Sequence, residues 1–321
     1  MKLYGVEWEV KNVPQLDPHF IPMEQFVRGF LRDAKQPLAI AVEREAGHIS
    51  VYDTFVHGTA KMQQADFYYV ERMVKFLLWA KGGFRVTICG DRGIYEHIKS
   101  VYSPEGARAF DFKTMSDVYE HPFEILHLPY DQKPDEAESS QPLGGHLDGC
   151  RIGFDAGGSD RKVSAVMDGE VLYSEEVVWS PKTNSDPDYH FNGIVTALKT
   201  AASKLPRVDA IGISSAGIYV NNRTMLASLF LKVPKDLFDA KVKNIYERAC
   251  REIGDVPFIV ANDGDVTALA GAMELKDTGV LGIAMGTSEA VGYVDERGNV
   301  TGWLNELAFA PVDAHPEAME D

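Results

Sequence analysis

Cysteine is scarce in this chain of 321 residues, which contains only Cys89, Cys150 and Cys250. The three lie far apart and form no Cys-x-x-Cys pair, so a disulfide-stapled scaffold is excluded. An odd number of widely separated cysteines instead predicts free and mostly buried thiols in a reducing compartment.

Positive charge is the second shortage. Lysine and arginine number 32 against 48 aspartates and glutamates, which gives a formal net charge of −16. A protein that coats DNA or RNA needs a basic face, because it must neutralise phosphates. The charge balance therefore predicts no nucleic-acid partner.

Long apolar runs are missing as well. No stretch of about 18 uncharged apolar residues, the length that a membrane-spanning helix needs, occurs in the sequence. Residues 1–9 contain two glutamates and no apolar core of signal-peptide length. These absences predict a cytoplasmic protein with no membrane partner. The composition is that of a globular chain long enough for about two domains.

The composition changes between Pro129 and Gly149, where three prolines and three glycines occur without periodic apolar positions. Such a segment predicts a linker or mobile loop. We therefore expect an N-terminal α/β domain of unknown role over residues 1–130, a linker over residues 131–149, and a second region from Cys150.

The second region begins with three strands in hairpin order, predicted at residues 150–154, 162–167 and 170–178. Further strands at residues 208–213 and 258–261 then alternate with amphipathic helices. Strands in this order predict a mixed sheet covered by helices.

The first candidate site follows the strand at residues 150–154 and reads Asp-Ala-Gly-Gly-Ser. The adjacent Gly157 and Gly158, followed by Ser159, let the backbone approach a ligand and expose N–H groups to phosphate oxygens. Asp155 suits a metal ion held through water. The alternative is an ordinary hairpin turn, in which Asp and Gly are also common.

Two further candidates follow later strands. Residues 211–217 run into a small-residue loop with Ser215 and Gly217, which either admits a substrate or simply packs. Asn262 and Asp263 end a strand and begin a helix, at the crevice where open α/β sheets bind ligands. The Asp263 carboxylate could accept a proton from a hydroxyl that attacks a phosphoryl group. The alternative is that Asp263 or Asp265 caps the helix.

The fourth candidate is the turn Gly286-Thr287-Ser288 inside residues 282–293, which read as strand, turn and strand. Its form repeats the first glycine turn, as two related half-domains with a phosphate-binding hairpin each would require. The alternative is one more hairpin without a ligand.

In this order and spacing, the four segments resemble the ROK family of sugar kinases and regulators, within the actin, Hsp70 and sugar-kinase superfamily. Residues 155–159 are similar to the family's Asp-x-Gly-Gly-Thr phosphate turn, and residues 211–217 to the loop beside the sugar. Asn262-Asp263 and Gly286-Thr287 resemble the Asn-Asp pair and the second phosphate turn. Glu306 stands where the family's Gly-Glu-x-Gly-His segment has its Glu, and the resemblance ends near Pro311.

The resemblance implies an α/β fold of the actin-like ATPase (ribonuclease H-like) type, a mixed sheet with helices on both faces. A first lobe is expected over residues 150–264. A second lobe is expected to start over residues 265–321 and to be truncated at Asp321.

The implied activity is ATP-dependent phosphoryl transfer to a sugar hydroxyl, with Asp263 as the general base. The implied partners are a small-molecule sugar and a nucleotide, and the implied cofactors are ATP and Mg²⁺, with the ion near Asp155. The sugar is expected at Asn262, Glu306, Ser215 and Gly217, and the nucleotide phosphates at Gly157, Gly158, Ser159, Gly286, Thr287 and Ser288. Homodimer formation stays open.

The sequence also departs from the family pattern. Ser159 and Asp160 replace a Thr and a Lys, and a carboxylate beside phosphates is repulsive unless Arg161 or Lys162 compensates. Phe309 replaces a His, and the family's structural zinc motif, Cys-x-Cys-Gly-x-x-Gly-Cys, is missing. These differences keep two alternatives open: a catalytically inactive regulatory protein that binds sugar or nucleotide, and an ATPase that remodels a partner.

Overall fold

The computed structural model describes residues 1–10, 12–285 and 289–318. The chain divides into two units: unit 1 comprises Met1–Ser139 together with Trp303–Asp321, and unit 2 comprises Ser140–Gly302. The segment expected as a linker, residues 131–149, is therefore shared between the two units. No helix in the described ranges is long and apolar enough to cross a membrane.

Unit 1 is built on a four-stranded mixed sheet, with strand order β4-β3-β5-β6. β3 runs antiparallel to both of its neighbours, whereas β5 and β6 are parallel. The described residues of the unit also form a short hairpin (β1 and β2) and the helices α1 to α4. The elements are β1 (Lys2–Leu3), β2 (Val6–Glu7), α1 (Met23–Leu31), β3 (Gln36–Glu43), β4 (Ile49–Val56), α2 (Gln63–Lys81), β5 (Arg85–Cys89), α3 (Arg92–Val101), α4 (Ala109–Tyr119) and β6 (Glu124–Leu128).

The long helix α2 ends at the glycine pair that follows Lys81. Gly82 has a φ of +81° and its N–H donates to the carbonyl of Leu78. The last helical carbonyls receive hydrogen bonds from the N–H groups of residues 304–306, at 2.9 to 3.2 Å. Because helix ends leave such carbonyls without partners, this returning segment completes α2 and belongs to unit 1.

The part of the expected linker that lies before Ser140 is bound to unit 1. Lys133 pairs with Asp53, and Ala137 bridges to Ile49. Glu138 accepts a 2.6 Å hydrogen bond from the buried guanidinium of Arg44.

Unit 2 contains a five-stranded sheet with order β13-β10-β7-β8-β9. β7, β10 and β13 are parallel, whereas β8 and β9 form antiparallel hairpins beside β7. This strand order is the ribonuclease H-like one, so the predicted α/β fold class is confirmed. The first elements are β7 (Cys150–Ala156), β8 (Asp160–Met167), β9 (Glu170–Val178), α5 (Pro187–Ala202), β10 (Ala210–Ser215), β11 (Ile218–Val220), β12 (Arg223–Leu226), α6 (Lys235–Leu237), α7 (Ile245–Arg251) and β13 (Phe258–Asn262).

The strand alternation assigns the two faces of this sheet. In β7, Ile152 and Phe154 point into the core formed with α5 and α7, whereas Gly153 and Asp155 alternate with them on the opposite face. The opposite face lines a cavity of about 870 Å³, which residues 142–147 and part of α8 (Asp263–Leu275) also border.

A hairpin of β14 (Val280–Met285) and β15 (Glu289–Val294) packs on α8. The approach is close, since a Cβ atom on Gly282 or Gly292 would lie 2.5 Å or less from the α8 backbone. The two strands predicted within residues 282–293 are thus confirmed. The turn itself, Gly286-Thr287-Ser288, lies outside the described residues.

Candidate active site

Two carboxylates meet at the carboxyl edge of the unit 2 sheet. Asp155 pairs in register with Ser214 across β7 and β10, and Asp263 directly follows β13, the other neighbour of β10. The Ser214 hydroxyl donates to Asp263 Oδ1 at 2.6 Å. Because the carboxyl ends of parallel strands lie at one edge, the fold brings together side chains that are far apart in sequence.

The two carboxylates destabilise each other's charged forms. Burial raises the pKa of Asp155, and the charge of Asp263 raises it further. Burial also raises the pKa of Asp263, whereas the hydrogen bond from Ser214 lowers it. The Lys162 ammonium lies 3.9 Å from Asp155 Oδ2. The edge therefore carries concentrated negative charge that a bound cation would stabilise.

The glycine turn between β7 and β8 is held closed by Trp179. The indole Nε1 donates to the Gly157 carbonyl at 2.8 Å, and the Trp179 N–H donates to the Ser159 carbonyl at 3.1 Å. A Cβ on Gly157 would lie 2.6 Å from the carbonyl oxygen of Asp160, so a side chain does not fit there. The turn is thus closed and fixed in shape, with Gly157 and Gly158 half-buried and Ser159 exposed.

Asp160, the acidic residue expected to repel phosphates, is neutralised locally. Lys162 donates to Asp160 Oδ1 at 2.6 Å, and the Ser159 hydroxyl donates to Asp160 Oδ2 at 2.8 Å. Both contacts lower the pKa of Asp160 and stabilise its charged form. Of the two compensating residues that the sequence offered, Lys162 is the one in contact.

Asn262 has a structural role that the sequence left open. Its Oδ1 accepts the Gly264 N–H at 2.7 Å, which makes Asn262, rather than Asp263 or Asp265, the N-cap of α8. Its Nδ2 donates to the Gly217 carbonyl at 2.7 Å. The cap leaves the Asp263 carboxylate available to Ser214 and to a ligand.

Ser215 is the last residue of β10, and Gly217 lies in the loop that follows. Ser215 is fully buried and accepts a 2.9 Å hydrogen bond from the hydroxyl of Tyr246. Gly217 has a φ of +136°, and a Cβ there would lie 2.4 Å from the Leu226 carbonyl oxygen. Both residues shape this loop.

Glu306 and Phe309 belong to unit 1. The Glu306 N–H donates to the Trp79 carbonyl at 2.9 Å, and Phe309 stacks on the Trp79 ring at 4.1 Å between centroids. Burial raises the pKa of Glu306 to about 7. A sugar-binding role for Glu306 stays a prediction.

Ser214 and Trp179 are not among the site residues predicted from the sequence. Ser214 lies inside a segment that was singled out, but only the strand register shows which of two adjacent serines points to Asp263. Trp179 directly follows the third predicted strand, and an indole at a strand end beside a glycine turn is the signal that could have indicated it.

The site offers two carboxylates for a metal ion. In the described ranges, no group of three or more His, Cys, Asp or Glu side chains could hold one. Mg²⁺ is usually bound through one or two carboxylates and keeps several waters, so Asp155 and Asp263 fit this ion better than one that needs a full protein cage.

Comparison with solved structures finds partial matches at low identity. A ROK hexokinase from Thermus thermophilus is 18% identical over 49% of this chain and 51% of that chain, with a TM-score of 0.38. A ROK family transcriptional regulator, a homolog of the E. coli MLC protein, is 17% identical over 54% and 43%, with a TM-score of 0.38. A glucokinase from Parabacteroides distasonis is 19% identical over 47% and 46%, with a TM-score of 0.33.

The chain spans about half the length of these solved structures. No protein-family model and no curated protein sequence matches it.

Proposed function

We propose that unit 2 carries the base and a phosphate cradle of a ROK-like carbohydrate kinase, which transfers a phosphoryl group from ATP to a sugar hydroxyl. The supporting observation is the meeting of Asp155, Ser214 and Asp263 at one sheet edge, where β7 leads into the closed glycine turn. A base beside a phosphate cradle is the minimum that this reaction needs.

Asp263 acts as the general base in this proposal. Its carboxylate takes the proton of the sugar hydroxyl as the oxygen attacks the terminal phosphorus of ATP. The Ser214 hydroxyl fixes one carboxylate oxygen at 2.6 Å and favours the ionised form that a base requires.

The nucleotide phosphates bind at the N–H groups of Gly157, Gly158 and Ser159 and at the turn Gly286-Thr287-Ser288. Asp155, with Asp263 beside it, would hold Mg²⁺ through water, and the ion would neutralise charge on the transferred phosphoryl group. Burial and the charge of Asp263 raise the pKa of Asp155, and this fits the assignment because a divalent cation would stabilise the ionised carboxylates.

The acceptor sugar binds next to Asp263, beside the loop that contains Ser215 and Gly217. Asn262 shapes that loop through its hydrogen bond to the Gly217 carbonyl. These contacts would set which hydroxyl faces the base.

The test is ADP formation by the purified full-length protein with MgATP and a panel of sugars. We expect ADP formation that requires a sugar and falls by at least ~10²-fold in Asp263→Asn, the scale of general-base removal. Asp265→Asn, two residues further along α8, is the matched control and should retain activity. Unchanged ADP formation in Asp263→Asn would refute the assigned base, and sugar binding without turnover would indicate a regulatory protein.

A further inference from the structure

Lys182 places its ammonium group against the glycine turn. The residue lies in a short 3₁₀ turn, Pro181–Thr183, which follows β9 and Trp179. A Cβ built on Gly158 would lie 2.7 Å from Lys182 Cε and 2.9 Å from Nζ. The end of the lysine side chain therefore occupies the space directly beside the Gly158 backbone.

The segment that carries Lys182 is fixed at both ends. The Trp179 indole binds the Gly157 carbonyl, so the segment and the glycine turn are joined directly. On the other side, His190 is fully buried, and its Nε2 lies 3.0 Å from the Pro181 carbonyl oxygen and 3.1 Å from that of Leu229. The lysine backbone is thus held in place while its side chain reaches the turn.

The Lys182 ammonium has no hydrogen-bond or ion-pair partner in the part of the chain that the structure describes, and the residue is exposed. Lys162, the other lysine at this turn, is already bound to Asp160 and lies 3.9 Å from Asp155. Of the other charged side chains at this turn, Asp155 and Asp160 are negative, Lys162 is bound to Asp160, and the Arg161 guanidinium lies over the Trp179 ring, 5.8 Å from its centroid. A polyphosphate needs a further positive charge here, and Lys182 supplies it.

We propose that Lys182 binds a phosphate group of the nucleotide at the Gly157–Ser159 turn. The inference rests on the proposed kinase function. The family pattern has a lysine at the position of Asp160, whereas Lys182 lies 22 positions further along this chain. Lysine binds phosphate as a point charge on a flexible stem, so the ammonium can move from Gly158 to a phosphate oxygen without a change of backbone.

The experiment is calorimetric titration of the full-length protein with MgATP, with inorganic pyrophosphate and with adenosine, which has no phosphate. We expect Lys182→Ala to weaken MgATP and pyrophosphate binding by at least ~10-fold, on the scale of one lost charge-assisted hydrogen bond. Adenosine binding should stay unchanged, and Lys182→Arg should restore most of the phosphate affinity. Lys232→Ala, which removes the same charge from another exposed position, should bind like the wild type.

The outcomes separate the two claims. If the wild type binds neither MgATP nor pyrophosphate, the proposed function fails and the inference fails with it. If the wild type binds both and Lys182→Ala binds them equally well, the inference alone is overturned. A loss that Arg does not rescue and that comes with a lower melting temperature would show a structural role for Lys182 and would also overturn it.

Discussion

The hydroxyl of Ser214 and the carboxylate of Asp263 lie 2.6 Å apart, although 49 positions separate them in the chain. Ser214 lies near the end of β10, and Asp263 is the first residue of α8, immediately after β13. The contact exists because β10 and β13 are parallel neighbours. It lowers the pKa of Asp263, the proposed base.

Replacing Ser214 with Ala should move the acid side of the pH–rate profile to higher pH. The hydrogen bond from Ser214 lowers the pKa of Asp263 against the effect of burial. Without the bond the carboxyl loses its proton only at higher pH, so activity at low pH falls while activity at high pH is retained better. The measurement is kcat/KM as a function of pH.

Ser164→Ala is the control for this experiment. Ser164 lines the same face of the sheet, but its hydroxyl lies 3.5 Å from the Gly153 carbonyl oxygen rather than near Asp263. The same shift in both variants, or no shift in Ser214→Ala, would contradict the assigned role of Ser214.

Replacing Asn262 with Ala should lower the free energy of unfolding by about 2 kcal/mol, because the variant loses the α8 cap and leaves the Gly217 carbonyl without its donor. Asn262→Asp keeps the acceptor for the Gly264 N–H and places a negative charge at the helix N-terminus, so it should lose less. Urea unfolding measures both variants, and equal losses would contradict the capping role.

Two glycines of α8 should respond to Ala in opposite directions. A Cβ on Gly264 would lie 2.3 Å from the Val291 backbone, so Gly264→Ala forces α8 and β15 apart and should cost at least about 2 kcal/mol. Gly271 has its nearest contact at 3.9 Å, so Gly271→Ala should stabilise the helix by up to about 1 kcal/mol. Thermal unfolding separates the two, and equal shifts would contradict the close approach.

Replacing Glu306 with Gln should flatten the pH dependence of stability. Burial raises the pKa of Glu306 from 4.5 to about 7, so the folded protein binds this proton more tightly than the unfolded chain does. Stability should therefore fall as the pH rises from about 4.5 to 7, by no more than roughly 3 kcal/mol. Gln carries no charge, so the variant should be more stable than the wild type at pH 8 and lose this slope.

Denaturant unfolding at several pH values between 4 and 8 provides that measurement. The exposed Glu317, also in unit 1, is the control, and Glu317→Gln should keep the slope of the wild type. An unchanged slope in Glu306→Gln would show that the Glu306 carboxyl does not cause the pH dependence of stability.

Local patterns in the sequence predict much of this fold. The strands predicted at residues 150–154, 162–167 and 170–178 correspond to β7, β8 and β9, and those predicted at residues 208–213 and 258–261 correspond to β10 and β13. These features depend on neighbouring residues alone, and for that reason the sequence order was enough to predict a mixed sheet.

Features that depend on long-range register could not be predicted in this way. Which of Ser214 and Ser215 faces the base depends on the pairing of β10 with both neighbours, and Ser215 points instead to the buried Tyr246. The return of residues 304–306 to cap α2 uses backbone N–H groups, which leave no mark in the side-chain pattern. The contact of Lys182 with Gly158 likewise follows from the fold and not from a motif.

The fate of the terminal phosphoryl group of ATP distinguishes a sugar kinase from an ATPase. The protein is incubated with ATP labelled at that position and with a sugar that supports ADP formation, and the labelled products are separated. We predict that the label appears on the sugar, and that Asp263→Asn abolishes this transfer while it still binds MgATP. Label found only as inorganic phosphate, or equal transfer by Asp263→Asn, would contradict the account.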